Sequence, residues 1–301
     1  MIAITGVSGY IGIHLARYLK DKGEKCVGLI KQNTSNTDLT ELKNAGIPYT
    51  MVDFFDESSV CAALKGTDLL VHLVGSIYAP KNMTMENLHK DITATVIKAA
   101  QKAQIKTIVY VSALGTSLKA AGEYHRTKAL AEQQIIQSGI PYLILQPSLV
   151  FGKLYGHRNS KLIARFAGLT QKLSFIPLIG SGQNKMQPIY IMDLVECIYK
   201  GLTGTARNKT IQLGGPEVLT LQQIAECICM VTSGHVKRCV HLPRPMMYVI
   251  ASLMEKIKEK PEVTCDQIRM SKEDNICTSD EMDTLFPLEK TSMGKASATL
   301  L

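Results

Sequence analysis

The segment Thr5-Gly6-Val7-Ser8-Gly9-Tyr10-Ile11-Gly12 follows a short apolar run, Ile2–Thr5, and opens an amphipathic stretch, Ile11–Lys22. Three glycines at that spacing constrain the chain more than any other feature. Gly6 permits a tight turn out of a strand, Gly9 lets backbone amides approach a diphosphate, and Gly12 lets the helix lie against the sheet. The helix amino terminus adds unpaired N–H groups and a partial positive charge, which makes the turn an anion site. Strand, helix and second strand follow in the required order. The pattern therefore predicts a βαβ unit that binds a dinucleotide through Gly6, Ser8, Gly9, Tyr10, Ile11 and Gly12. A tight βα turn with no ligand is the plainer alternative.

Further apolar, β-rich runs are Cys26–Ile30, Pro48–Val52, Leu69–Leu73, Thr107–Ser112, Tyr142–Gln146 and Thr210–Leu213. Helical patterns lie between them, among them Met85–Ala103 and Glu123–Ser138. Apolar strands joined by helices predict an α/β fold, a doubly wound parallel sheet of Rossmann type. The alternation is cleanest to about Val150, and no internal repeat interrupts it. Residues 1–150 are thus expected to form the dinucleotide-binding domain and 151–301 a smaller C-terminal substrate lobe, with 185–215 returning to the sheet. Gly152–Gly182 reads as loops plus one helix, placed where a substrate pocket would form.

The formal net charge of +8 favours anionic partners. That charge is scattered, without a basic run or an RNA-binding aromatic signature, so no nucleic acid partner is expected. Of eight cysteines only Cys227 and Cys229 are close, and Cys-x-Cys without a second pair or a nearby His makes a poor zinc site. No metal is expected, and the thiols read as free. Met1-Ile2-Ala3-Ile4 already reads as structure and no apolar run reaches the ~18 residues of a membrane span, so a soluble, cytoplasmic protein is expected.

The second strand runs out at Lys31-Gln32-Asn33, where an NAD-preferring site usually carries an acid for the ribose 2′-OH. Lys31 would pair instead with a 2′-phosphate, so NADP(H) is preferred, with NAD(H) and a solvated Lys31 as the alternative. Asp53, before Phe54, is placed to contact adenine, or to cap the helix starting near Glu57. His72, at a strand end, reads as a satisfied buried histidine. His157-Arg158 reads either as a receiver for an anionic group or as a solvated loop pair.

The spacing Gly-x-x-Gly-x-x-Gly, then His72-Leu73-Val74-Gly75, Val109-Tyr110-Val111-Ser112 and Tyr124-x-x-x-Lys128, resembles the extended and atypical branches of the short-chain dehydrogenase/reductase superfamily. Leu145–Gly152, Pro177–Gly182, Gln187–Leu194 and the ending Thr264–Arg269, Lys272–Asn275 are more narrowly similar to the nucleotide-binding accessory subunits of respiratory complex I and their bacterial relatives. The resemblance implies cofactor contacts at Phe54, Leu73, Val74, Gly75, Lys128, Pro147 and Ser148 as well as at the glycine turn, Lys31 and Asp53. It also marks a departure, because such proteins usually carry Arg before the Pro-Ser of the sixth strand and this chain has Gln146. Whatever that guanidinium pairs with must be satisfied differently here.

In the superfamily the Tyr of this motif gives or takes a proton at a carbonyl or hydroxyl, and the Lys lowers its pKa and holds the nicotinamide ribose. Tyr124 and Lys128, at i and i+4, share one helix face. Ser112 is the expected third member, with Thr116 or Ser117 as substitutes. The plainer reading leaves Tyr124 and Lys128 holding the ribose only. Function is accordingly expected to be that of an NADP(H)-binding oxidoreductase or epimerase/dehydratase acting on an unidentified small molecule. The rival is a non-catalytic nucleotide-binding subunit or assembly factor of a respiratory-type complex. Residues 245–260 read first as a helix buried against the C-terminal lobe with methionine as filler, and second as a peripheral membrane or protein-complex contact.

Overall fold

Strands buried on both faces need helices on both faces, and the computed structural model, which describes residues 1–79, 82–153, 155, 160–258 and 261–296, has that arrangement. The first half runs β1 (Ile2–Thr5), α1 (Tyr10–Asp21), β2 (Cys26–Lys31), α2 (Asn36–Asn44), β3 (Tyr49–Val52), α3 (Glu57–Ala63) and β4 (Leu69–His72). It continues through a π-helical turn (Asn87–Asp91) into α4 (Ile92–Lys102), β5 (Thr107–Val111), α5 (Glu123–Gln137) and β6 (Tyr142–Pro147). The second half runs β7 (Val150–Phe151), α6 (Lys161–Lys172), β8 (Phe175–Ile179), β9 (Lys185–Met186), β10 (Ile189–Tyr190), α7 (Ile191–Thr203) and β11 (Lys209–Leu213). It ends with β12 (Leu219–Thr220), α8 (Leu221–Ser233), β13 (Arg238–Leu242), α9 (Arg244–Ile257), α10 (Cys265–Met270) and α11 (Glu281–Leu285).

The central sheet has seven parallel strands in the order β3-β2-β1-β4-β5-β6-β11. Strand order reverses between β1 and β4, and a ligand crevice opens at the carboxyl ends of the strands there. All four residues of β1 and all five of β5 are buried. One core joins the sheet to α1 and α7 through Leu15, Leu19, Leu194 and Ile198. On the other face Val60, Leu64, Val96 and Ala100 of α3, α4 and their ends close over Leu29 and Leu70.

A third core, with Ile163, Phe166, Ile176, Ile224 and Ile228, belongs to the C-terminal lobe. There β13 pairs with β8 in parallel, so the stretch expected to be loops plus one helix also supplies a strand. Its sequence, Phe-Ile-Pro-Leu-Ile, carries a central proline that argues against a strand. The packing expected for 245–260 is present along one side only: Ala251 and Met247 lie against Cys265, Ile268 and Ile179. In α9 only Ala251 is buried, and the opposite side of the helix faces solvent.

Candidate active site

Gly6 takes φ +71°, and a Cβ there would stand 3.2 Å from the Leu73 carbonyl carbon. At Gly12 a Cβ would lie 2.5 Å from the Gly6 carbonyl oxygen and 2.6 Å from Val7 Cα, both backbone atoms that cannot yield. The turn closes when the Gly9 N–H donates to the Gly6 carbonyl at 2.9 Å, and Ile13 N–H donates to Gly9 at 3.0 Å. No side chain caps α1 and no acid stands in its first turn. The N–H groups of Tyr10, Ile11 and Gly12 therefore have no intrahelical acceptor, which is the electropositive cradle a diphosphate needs. Tyr10 and Ile11 belong to this cradle by backbone only. The Tyr10 phenol donates to the Gly152 carbonyl at 3.0 Å, and burial raises its pKa, while Ile11 packs on the core.

Lys31 is exposed at the end of β2. Asp53 is exposed, and its carboxylate accepts the Phe55 N–H at 2.9 Å, leaving Asp56 to cap α3 by accepting from Ser58 and Ser59. The capping alternative for Asp53 is thus corrected: the cap lies three residues later. The Phe54 side chain is buried among Val52, Val60 and Leu64 and is not exposed to a cofactor. His72 is fully enclosed, with Nδ1 2.7 Å from the Thr5 hydroxyl and Nε2 3.0 Å from that of Thr93, and burial holds its pKa down at about 3. His157 and Arg158 lie outside the described residues.

Lys128 reaches under the end of β4. A Cβ on Gly75 would stand 3.2 Å from its Nζ and 3.4 Å from the His89 ring, so only glycine lets the lysine and this backbone pack so closely. The Nζ donates to the Tyr110 hydroxyl and to the Val111 carbonyl, each at 2.9 Å. Burial lowers its pKa to about 7, with Glu132 one turn on acting in the opposite direction. Tyr124 stands between the rings of His89 and His125, at centroid distances of 5.4 and 5.2 Å. Its phenol makes no hydrogen bond among the described residues. Burial raises its pKa to about 12, so the expectation that Lys128 lowers it does not hold here: the ammonium is engaged by Tyr110 and Val111, and desolvation dominates.

Ser112 is buried. Its hydroxyl lies 3.3 Å from that of Thr116, whose own proton goes to the Ala113 carbonyl at 2.6 Å, and is close enough to the Glu132 carboxyl to help hold that group's pKa down. Ser117 accepts the Lys119 N–H at 3.2 Å. The partner left by the missing guanidinium is also Glu132, because Gln146 Nε2 donates to its Oε1 at 2.9 Å. A single neutral donor compensates the carboxylate less than a guanidinium fork, and burial raises the Glu132 pKa.

The ending of the chain completes the site. Ser148 donates to the side-chain oxygen of Asn275 at 2.7 Å, and Asn275 Nδ2 donates to the Leu114 carbonyl at 2.9 Å. Asp266 accepts the N–H groups of Glu123 at 2.7 Å and Tyr124 at 3.1 Å, capping α5 from 143 residues away in sequence. Gly122, the N-cap itself, has no side chain to do so. Tyr110, His89, Glu132, Asp266 and Asn275 are site residues that the sequence reading did not assign. Asp266 and Asn275 lay inside the quoted ending, but no local spacing reveals a contact of that range.

A family model described as the NAD dependent epimerase/dehydratase family matches residues 2–214. Among curated proteins the chain is similar to the mitochondrial NADH dehydrogenase [ubiquinone] 1 alpha subcomplex subunit 9 of Arabidopsis thaliana, at 27% identity over 257 residues, covering 83% of this chain and 62% of that one. It therefore spans less than two thirds of that relative's length. Among solved structures it is similar to a UDP-glucose 4-epimerase of Thermotoga maritima, with TM-score 0.76, 15% identity and coverage of 99% and 96%. It is also similar to the NADPH-dependent quinone oxidoreductase of Escherichia coli complexed with NADPH, with TM-score 0.73, 20% identity and coverage of 99% of each chain. At these identities the two structures speak for the fold alone.

Proposed function

We propose that this chain, which belongs to the NAD dependent epimerase/dehydratase family, binds NADP(H) in the crevice between β1 and β4 and reduces or oxidises a small carbonyl or hydroxyl compound. The observation that carries the proposal is the unpartnered Tyr124 phenol one helical turn before Lys128, whose Nζ lies against Gly75 at the edge of the glycine cradle. The open N–H groups of α1 fit a diphosphate. Lys128, whose Nζ lies beside Gly75, would donate to hydroxyls of the nicotinamide ribose.

When bound, the nicotinamide supplies or takes the hydride. Tyr124 then handles the proton at the substrate oxygen. With its pKa raised to about 12 the phenol is protonated at neutral pH, which favours the direction in which a carbonyl is reduced and Tyr124 donates. NADP(H) is preferred over NAD(H) because Lys31 is exposed at the end of β2 with no carboxylate beside it in sequence until Asp38.

A second reading, a nucleotide-binding subunit that does not turn over, is favoured by the burial of Ser112. Its hydroxyl is buried beside Thr116 and the Glu132 carboxyl. The likeness to a complex I subunit suits that reading. Purified protein charged with NADPH and challenged with a panel of carbonyl compounds and quinones separates the two. Oxidation of the NADPH that Tyr124→Phe abolishes supports the enzyme. Tight cofactor retention with no turnover on any of them, and a silent Tyr124→Phe, overturns it in favour of the second reading. Titrating NADPH against NADH, with Lys31→Asp expected to reverse the preference, tests the cofactor; equal affinities throughout overturn that part.

A further inference from the structure

The helix α9 carries two apolar stripes. Met247 and Ala251 face inward, against Cys265, Ile268 and Ile179. Met246, Val249, Ile250, Leu253 and Ile257 lie at helical spacing on the other side, and all are exposed, Val249 by 61%, Leu253 by 54% and Ile257 by 82%. Isolated exposed apolar side chains need no explanation, but an uninterrupted stripe along one helix does.

We propose that this outer stripe docks on the surface of an anionic lipid bilayer. Charge argues for that occupant. Residues 236–258 hold five Lys or Arg, of which Lys258 is paired with Glu262 at 2.6 Å, and a single carboxylate, Glu255, which accepts the Cys265 N–H at 2.9 Å. Lys256 is exposed and has no carboxylate partner among the described residues, and Tyr248 stands at the rim with its hydroxyl accepting from Arg269. Aliphatic side chains entering the acyl boundary, with lysine at headgroup level, is the arrangement an interfacial helix uses.

Length and area argue against other occupants. Fourteen residues span about 21 Å at 1.5 Å each, short of a ~30 Å hydrocarbon core, and no described helix is long and apolar enough to cross a membrane. About 21 Å by a width of ~10 Å is a footprint of roughly 200 Å². Even doubled for side-chain relief, that falls short of the ~800 Å² per partner of a stable protein interface. The stripe also lacks a tryptophan or arginine anchor of the kind that dominates protein contacts.

The test is flotation of the whole protein with large unilamellar vesicles of phosphatidylcholine alone or with 30% phosphatidylglycerol, at low and high salt. The expected result is binding to the anionic vesicles, weakened at least tenfold by Val249→Glu with Leu253→Glu and several-fold by Lys256→Glu or by salt. All three positions are exposed, so the variants should fold, and an unchanged far-ultraviolet spectrum and dinucleotide affinity verify that they do. Failure to bind anionic vesicles, or binding that the double variant leaves unchanged, overturns the proposal. A concentration-dependent dimer that the double variant abolishes, without lipid binding, would assign the face to a second copy instead.

Discussion

Removing the Asp266 carboxylate should loosen the first turn of α5 and with it Tyr124. The carboxylate accepts two backbone N–H groups, at 2.7 and 3.1 Å, on a helix whose own N-cap is glycine. Losing a side-chain cap costs about 1 kcal/mol, and losing a negative charge at a helix amino terminus a further 0.3–1, roughly. The Asp266 side chain is only 17% exposed, which places the sum near the upper end, about 2 kcal/mol for Asp266→Ala. With 301 residues and an unfolding entropy of about 2.1 cal/mol/K each, that is a fall in Tm of only about 3 °C. Local opening reads it better. Hydrogen exchange at the amides of residues 123–127 should accelerate about 30-fold, since ~1.4 kcal/mol is a factor of ten. Exchange elsewhere in the sheet should be unchanged. Asp266→Asn, which keeps one acceptor and loses the charge, should fall about midway. Exchange at 123–127 within twofold of the parent in the alanine variant would refute the assignment of Asp266 as the cap.

Gly12→Ala should destabilise the fold by about 1–3 kcal/mol in urea and weaken dinucleotide binding at least tenfold, because its Cβ would meet Gly6 and Val7 backbone at 2.5–2.6 Å. Lys128, held by burial to about 7 against an ordinary 10.5, binds fewer protons folded than unfolded between those values. Its contribution to stability therefore rises with pH across that window and is flat below and above it, and Lys128→Met should remove the rise in urea titrations taken from pH 7 to 10. Gln146→Leu leaves the buried Glu132 carboxyl without its amide donor and should cost about 1–3 kcal/mol by the same assay.

What the sequence disclosed was local or periodic. The glycine turn, the strand and helix alternation and the i, i+4 placement of Tyr124 and Lys128 are each set by a few adjacent residues, and the sheet follows from the strand pattern. Long-range side-chain choices were illegible. Nothing in the neighbourhood of Ser112 says that its hydroxyl lies near the Glu132 carboxyl, or that Ser148 is met by Asn275, because both depend on segments far apart in sequence meeting at one sheet end. The fate of α9 was illegible for a different reason. A helix with apolar residues on both sides reads as buried, and only the packing of the C-terminal lobe decides which stripe is left outside.

The departure at Gln146 ties these levels together. A guanidinium at that place would keep Glu132 ionised by its fixed charge and could occupy both carboxylate oxygens. The amide supplies one neutral donor, and the buried Ser112 hydroxyl, beside Thr116, adds a weaker influence on the same carboxyl. The same carboxyl sits one helical turn from Lys128, where its charge is the main influence opposing the desolvation that depresses the lysine. The Lys128 Nζ is also held by the dipoles of Tyr110 and Val111. A single residue on β6 thereby acts on the carboxyl that lies one turn from the lysine. In this protein the chemistry of the crevice is set as much by the layer beneath the motif as by the motif itself.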